Sequence, residues 1–228
     1  MIISHKYKFI FIKTFKTAGT SIEVFLSQHC DDSDIVTPIS PHVSPHVARN
    51  YLGLWNPLPE ILMNRGRSVG KTLRSLRKKR KFYNHIPARV VRARVPRSNW
   101  ENYFKFCVER NPWDKTLSHY YMLKHDAGGK MTLEEYLRKG NFCINYPVYT
   151  DKGDNLLVDR VIKYENLSAG LGEIFGRLGI PFEGSLGVSA KSEYRINRTP
   201  YHEIFSKEQK VLIERVFEKE ILMHGYTY

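Results

Sequence analysis

Six consecutive residues, Lys16-Thr17-Ala18-Gly19-Thr20-Ser21, combine a cation, a glycine and three hydroxyls in an order that suits an anion. They follow a short apolar run, Phe9 to Ile12, and precede residues at helical spacing, Ile22, Phe25, Leu26 and His29. The change of period across Lys13 to Ser21 predicts a buried parallel strand, a loop and a helix start. At a helix start the first backbone N–H groups lack intrahelical partners and the dipole end is positive, so an anion is favoured there. Lys16 adds a mobile charge, Gly19 permits close backbone approach, and Thr20 and Ser21 add hydroxyl donors. The plainer reading is a strand-to-helix turn capped by Thr or Ser. A Walker A loop is excluded, because the two glycine positions of that motif are occupied by Phe15 and Ile10.

A second segment, Tyr103 to Lys124, repeats the pattern. Phe104 to Val108 reads as a strand, Asn111 as a cap, and Pro112 suits the first helical position. Trp113, Leu117, Tyr120 and Tyr121 then form an apolar helical stripe. Arg110 stands at the strand's end beside the helix start, well placed to grip a phosphate with two parallel hydrogen bonds. Pairing with Glu109 or Asp114 is its plainer fate. Ser118 lies about two helical turns beyond the cap.

With both segments in view, the chain resembles the sulfotransferases. FKTAGTS at Phe15–Ser21 is similar to their 5′-phosphosulfate loop, and ERNPWDKTLSHYY at Glu109–Tyr121 is similar to their 3′-phosphate motif, an Arg-Asn-Pro with a Ser eight residues after the Arg. VIKYENL at Val161–Leu167 resembles their Tyr-Glu-Asp/Asn-Leu segment, and the tail ending in HGYTY resembles their closing helix. The three motifs lie in family order over roughly residues 7–180. One departure is Phe15, where the family has Pro.

The resemblance implies 3′-phosphoadenosine 5′-phosphosulfate (PAPS) as sulfuryl donor, its bisphosphate product (PAP), and no required metal. It implies that Lys16 stabilises the leaving bisphosphate, and that Thr17, Ala18, Gly19, Thr20 and Ser21 hold the 5′ side. Arg110 and Ser118 would hold the 3′-phosphate and Tyr164 would approach the adenine, although a Tyr ending a strand is also simply core. Arg195 and Arg198, in KSEYRINR, match a basic cofactor loop of some relatives; a surface loop is the equal alternative.

An acceptor hydroxyl must lose a proton as its oxygen attacks sulfur, and imidazole titrates in the useful range. His85, in NHIPARVVR, resembles the His-x-Pro/Thr-Ala segment of carbohydrate-type and bacterial relatives. His42 and His46, in SPHVSPHVARNYLG, are the alternative pair. Glycan, small metabolite and peptide tyrosine are all open as acceptors, with a glycan or small-molecule hydroxyl favoured.

The 228 residues suit one α/β domain, and 42% hydrophobic content excludes a wholly disordered chain. The apolar run Ile10–Ile12 is too short to cross a bilayer, and no small-residue cleavage site follows it. Cys30, Cys107 and Cys143 show no paired or zinc-like spacing, which points to a reducing cytoplasm. The net charge of +13 is local: Arg65 to Arg97 holds thirteen Lys/Arg and no acid. This basic insert or lid, about 54–84, reads as an amphipathic helix, a partly disordered lid or a solvated run. It would suit an anionic acceptor or the cofactor; a nucleic-acid arm is disfavoured because no known module accompanies it.

Elsewhere, Thr132 and Glu135 make a capping box, Asn141 to Asn155 reads as a loop over the site, and Leu156 to Tyr164 contains a strand. Leu167, Leu171, Ile174, Phe175 and Leu178 mark a helix stopped by Gly179, and Ser206 with Gln209 opens the last helix. The expected architecture is a single P-loop-like domain with a central parallel sheet flanked by helices. The alternatives are a P-loop-like nucleotide kinase and a non-enzymatic polyanion or nucleic-acid binder.

Overall fold

The computed structural model describes residues 1–63, 69–187 and 199–228. Arg195 and Arg198, and Arg65 and Arg67 of the basic insert, lie outside the described residues. In chain order the elements are β1 (Ile2–Ser4), β2 (Phe9–Phe11), α1 (Gly19–His29), β3 (Ile35–Val36), α2 (Leu58–Met63), α3 (Val69–Arg77), α4 (Ala88–Arg94) and α5 (Arg97–Asn102). There follow β4 (Phe104–Glu109), α6 (Pro112–Asp126), α7 (Leu133–Lys139), α8 (Tyr146–Tyr149) and β5 (Arg160–Lys163). A 3₁₀ turn (Tyr164–Asn166), α9 (Leu167–Leu178), α10 (Tyr201–Ile204), α11 (Lys207–Val216) and α12 (Glu218–His224) complete the described chain.

The strands form one sheet in the order β3-β1-β2-β4-β5. β2 pairs with β4, and β4 with β5, in parallel. The α/β expectation holds, but the sheet is mixed, because β1 pairs antiparallel with both β2 and β3. The four residues between β1 and β2 can close a hairpin and are too few for the crossover that a parallel pair requires. The parallel half carries the two strand-to-helix junctions, so both candidate loops emerge at the same end of the sheet.

Alternation along the strands sends side chains to two cores. Ile10, Ile12 and Cys107 pack with Ile86 and Val91 on one face. Phe9, Phe11, Phe106 and Val108 pack with Leu26 of α1 and Phe175 of α9 on the other. A third core joins Trp113 and Leu117 of α6 to Tyr136, Ile213 and Phe217.

The local signals are realised closely. Both capping boxes form, at Thr132 with Glu135 and at Ser206 with Gln209. Gly179 ends α9 at φ 71°, the left-handed geometry that glycine adopts at least cost. The closing helix is divided at Phe217 into α11 and α12, and Asn141–Asn155 contains the short helix α8.

The described part of the basic insert is docked rather than loose. Glu60 of α2 is buried and accepts from Arg94 Nε at 2.8 Å, Arg94 Nη2 at 3.0 Å and the Thr72 hydroxyl at 2.8 Å. Arg94 also donates to the Lys81 carbonyl at 2.7 Å and lies 4.1 Å from the Trp55 ring centroid. The amphipathic-helix reading is realised at α3, with Thr72 buried and Lys71, Arg74 and Arg77 exposed.

Candidate active site

The loop after β2 turns sharply, with positive φ at Lys16 (60°) and Ala18 (58°) on either side of Thr17. Alternating backbone hand of this kind gathers successive N–H groups into an anion-binding concavity. Ala18 is the N-cap of α1 and has no side chain to cap with, so the Thr/Ser-capped turn does not form. The first ladder bond runs from Ile22 N–H to the Ala18 carbonyl at 3.1 Å, which leaves the N–H groups of Gly19 and Thr20 without an intrahelical partner.

The hydroxyls divide between two tasks. That of Thr17 is fully buried and sits 2.8 Å from the Thr14 hydroxyl, which in turn donates to the Val108 carbonyl of β4. Thr17 therefore fastens the loop to the sheet. The Thr20 hydroxyl makes no hydrogen bond with the described residues. Gly19 serves packing: a Cβ there would come 2.7 Å from Lys13 Cγ. The close approach that it permits is that of the buried Lys13 stem, whose ammonium pairs with Glu23.

Arg110 links the two junctions. Its Nε donates to Asp114 Oδ2 at 2.7 Å, its Nη2 lies 2.6 Å from the same oxygen, and its Nη1 donates to the Lys16 carbonyl at 3.1 Å. The guanidinium also lies 4.2 Å from the centroid of the Tyr164 ring. The plainer reading of Arg110, pairing with Asp114, is the one realised, and the pair stands beside the loop. Asn111 caps α6, accepting from Trp113 N–H at 3.1 Å and Asp114 N–H at 3.3 Å.

Asp114, Ser118 and Met122 follow at four-residue intervals and so share one face of α6. Lys16 meets the far end of that stripe by its Nζ, 3.4 Å from Met122 Sδ, and reaches the near end through Arg110, which donates to its carbonyl and pairs with Asp114. Ser118, in the middle, therefore faces the loop, and its hydroxyl has no partner among the described residues. The structure brings Lys16, Thr20, Arg110, Ser118 and Tyr164 to one end of the sheet.

His85 arrives there from the chain before α4. Its Nδ1 lies 3.2 Å from the Lys13 carbonyl, and its ring stacks on Phe15 with centroids 4.0 Å apart. A carbonyl only accepts, so Nδ1 is the donor in this hydrogen bond. His46 is placed differently: it is 1% exposed, and burial, followed by the nearby Met1 amine and Lys13, lowers its pKa to about 4. His42 is exposed and its Nε2 donates to the His46 carbonyl at 2.8 Å.

Asn145 was not distinguishable in the sequence from other loop asparagines. Its Oδ1 accepts from Phe15 N–H at 2.7 Å, and its Nδ2 donates to the Phe15 carbonyl at 3.0 Å and to Glu109 at 3.0 Å. The only local signal, Asn before Tyr-Pro, suggests a cap, yet the side chain caps nothing. Behind it lies a buried ionic group. Lys115 Nζ bridges Glu109 at 2.8 Å and Glu220 at 2.6 Å, and Tyr149 donates to Glu109 at 2.9 Å. Burial, and then the Glu109 charge, raise the Glu220 pKa to about 7, with Lys115 opposing. His119, beside Ser118, sits 3.0 Å from the Tyr136 hydroxyl, and burial and Lys16 lower its pKa to about 4.

No family model matches the chain. Among solved structures, the crystal structure of a sulfotransferase from Alicyclobacillus acidocaldarius is similar at 16% identity and a TM-score of 0.37, over 91% of this chain and 94% of that one. An uncharacterized protein of Archaeoglobus fulgidus is 32% identical over 114 residues, covering 47% of this chain and 94% of the archaeal protein. At that identity over nearly the whole of the archaeal protein, this chain belongs to the same family as that uncharacterized protein.

Proposed function

We propose that this protein is a sulfotransferase that moves a sulfuryl group from PAPS to an acceptor hydroxyl on a glycan or small molecule. The observation that carries the reading is the double attachment of Lys16, by its carbonyl to Arg110 and by its Nζ to Met122 of α6, which brings the FKTAGTS and ERNPWDKTLS segments together. The residues present fit such a donor: a helix start that no side chain caps, two cations, and hydroxyls of Thr20 and Ser118 that make no hydrogen bond among the described residues.

When bound, the donor supplies the sulfuryl group and departs as the 3′,5′-bisphosphate. Gly19, Thr20 and Ser21 hold its 5′ side by backbone N–H and hydroxyl groups, and Lys16 neutralises charge gathering on the leaving phosphate oxygen. Arg110 and Ser118 hold the 3′-phosphate, and Tyr164, stacked on Arg110, stands at the adenine. His85 Nε2 takes the proton from the acceptor hydroxyl. Its Nδ1–H, held by the Lys13 carbonyl, fixes the orientation of the ring. Arg195 and Arg198 are assigned to the same cofactor as a basic loop.

The test is thermal unfolding of wild type and Lys16→Ala with adenosine 3′,5′-bisphosphate and no magnesium, followed by radiolabelled transfer from PAPS to a panel of acceptors. The expected result is a raised midpoint in both proteins and transfer by wild type alone. A shift with ATP and magnesium only would indicate a kinase. A shift produced by any polyanion and abolished by salt would indicate a simple binder.

A further inference from the structure

A cavity of about 400 Å³ has largely apolar walls, with Ile144, Tyr146, Pro147, Val216 and Phe217 among its lining residues. Two segments tie it to the candidate site. Ile144 and Tyr146 flank Asn145, Asn145 clamps both backbone groups of Phe15, and the Phe15 ring stacks on His85. Arg89 of α4 also lines the cavity. It follows His85 by four residues, so the two Cα atoms are at most about 14 Å apart.

The other charged side chains of the lining are answered within the protein. Lys219 pairs with Asp154 at 2.7 Å, and Lys152 donates to the Met63 carbonyl at 2.8 Å. Asp151 accepts from the N–H groups of Gly153 at 2.8 Å and Asn155 at 3.0 Å. Glu220 accepts from Lys115 at 2.6 Å and from Tyr146 N–H at 2.8 Å. Arg89 differs. It makes no hydrogen bond or ion pair with the described residues, and its Nε is buried without a partner. A guanidinium stays charged and only donates, so burying one of its N–H groups unpaired carries a desolvation cost that a bound acid removes.

We propose that this cavity receives the acceptor, and that the acceptor is a small hydroxy acid whose carboxylate is held by Arg89. The planar carboxylate matches the guanidinium fork, and the apolar body of the molecule lies against Tyr146, Pro147 and Phe217. The volume suits a single small molecule and is too little for a folded partner. The short path from Arg89 to His85 lets the acid and the reacting hydroxyl belong to that one molecule. The proposal rests on the reading of His85 as the base that takes the acceptor proton, and it gives the chemical class of the acceptor.

The experiment is calorimetric titration of the full chain with 4-hydroxyphenylacetate and with methyl glucuronide, each beside a neutral counterpart, the methyl ester and methyl glucoside. Tyramine, which carries the opposite charge, is titrated as well. At least one acid should bind wild type about tenfold or more tighter than its counterpart. Arg89→Gln should lose that margin while its affinity for the neutral compounds and for adenosine 3′,5′-bisphosphate is unchanged, and Arg89→Lys should keep part of it. A variant damaged in folding loses the neutral compounds and the bisphosphate too, and the comparison of acid with neutral compound in wild type stands without any variant. Neither acid outbinding its counterpart, tyramine binding most tightly, or a margin that survives Arg89→Gln overturns the proposal. Radiolabelled transfer from PAPS separates this outcome from the broader reading. Label passing to neutral alcohols as readily as to the acids removes the hydroxy acid and keeps the sulfotransferase. Arg89-dependent binding of an acid with no transfer to any hydroxyl keeps the carboxylate site and removes the acceptor role.

Discussion

The phenyl ring of Phe15 lies flat on the imidazole of His85, with centroids 4.0 Å apart and planes 10° from parallel. Phe15 is also gripped through both its backbone N–H and its carbonyl by Asn145. The residue that departs from the sulfotransferase pattern thus has a local reason. Proline at this position offers no N–H to Asn145 and no aromatic face to His85. The stack ties the histidine to the loop after β2, and the Asn145 clamp ties that loop to the buried Glu109 and Glu220 carboxylates.

His85→Ala should lower turnover by about two to four orders of magnitude with bisphosphate affinity nearly preserved, as for a lost general base. Phe15→Pro should leave Asn145 Oδ1 without the Phe15 N–H and destabilise the fold by about 1–3 kcal/mol. Steady-state kinetics with bisphosphate titration tests the first, and urea unfolding the second. If His42→Ala is the inactive variant and His85→Ala is near wild type, the base is misassigned.

Arg110 and Asp114 form a pair that a phosphate, on the proposed assignment, would have to share or displace. Arg110→Ala should weaken adenosine 3′,5′-bisphosphate binding by roughly tenfold or more. Asp114→Asn should do the opposite, because it removes a competing carboxylate from the same guanidinium nitrogens. Calorimetric titration of both variants decides. Equal affinities in all three proteins would show that Arg110 only fastens the loop to α6.

Gly19→Ala should destabilise by about 1–3 kcal/mol, the usual cost of overpacking, since the new methyl meets Lys13 Cγ at 2.7 Å. The penalty should fall in Lys13→Ala/Gly19→Ala relative to Lys13→Ala alone, because the obstructing stem is then absent. A double-mutant cycle in urea measures the difference. Full additivity would mean that Gly19 answers to the loop backbone and not to packing.

Glu220 should give stability a negative dependence on pH. Its folded pKa, about 7, lies above the ordinary 4.5, so the folded state binds the proton more tightly than the unfolded chain. The associated stability is complete below about 4.5 and is lost as pH rises through about 7. Its size is on the order of 1–3 kcal/mol, and burial beside Glu109 is the cause. Glu220→Gln, which keeps an acceptor for the N–H groups of Asn145 and Tyr146, should flatten the decline. Urea unfolding at pH 5 and pH 7.5 checks the sign, and an identical slope in the two proteins would refute it.

Local pattern determined the elements whose physics is local. The apolar run at Phe9, the caps at Asn111, Thr132 and Ser206, and the stop at Gly179 each state a helix or strand boundary in neighbouring residues, and each is found where expected. The two strand-to-helix junctions were legible for the same reason. Tertiary structure decided everything that joins distant segments. Asn145 meets Phe15 across 130 positions, and Glu220 meets Lys115 across 105. Spacing has no bearing on such contacts, because they depend on how whole helices dock. The mixed sheet, the division of hydroxyl duties between Thr17 and Thr20, and the docking of the basic insert through Glu60 and Arg94 belong to the same class. In each, the partner is chosen by packing and by the need to satisfy a buried polar group, and neither is written in the residue's own neighbourhood.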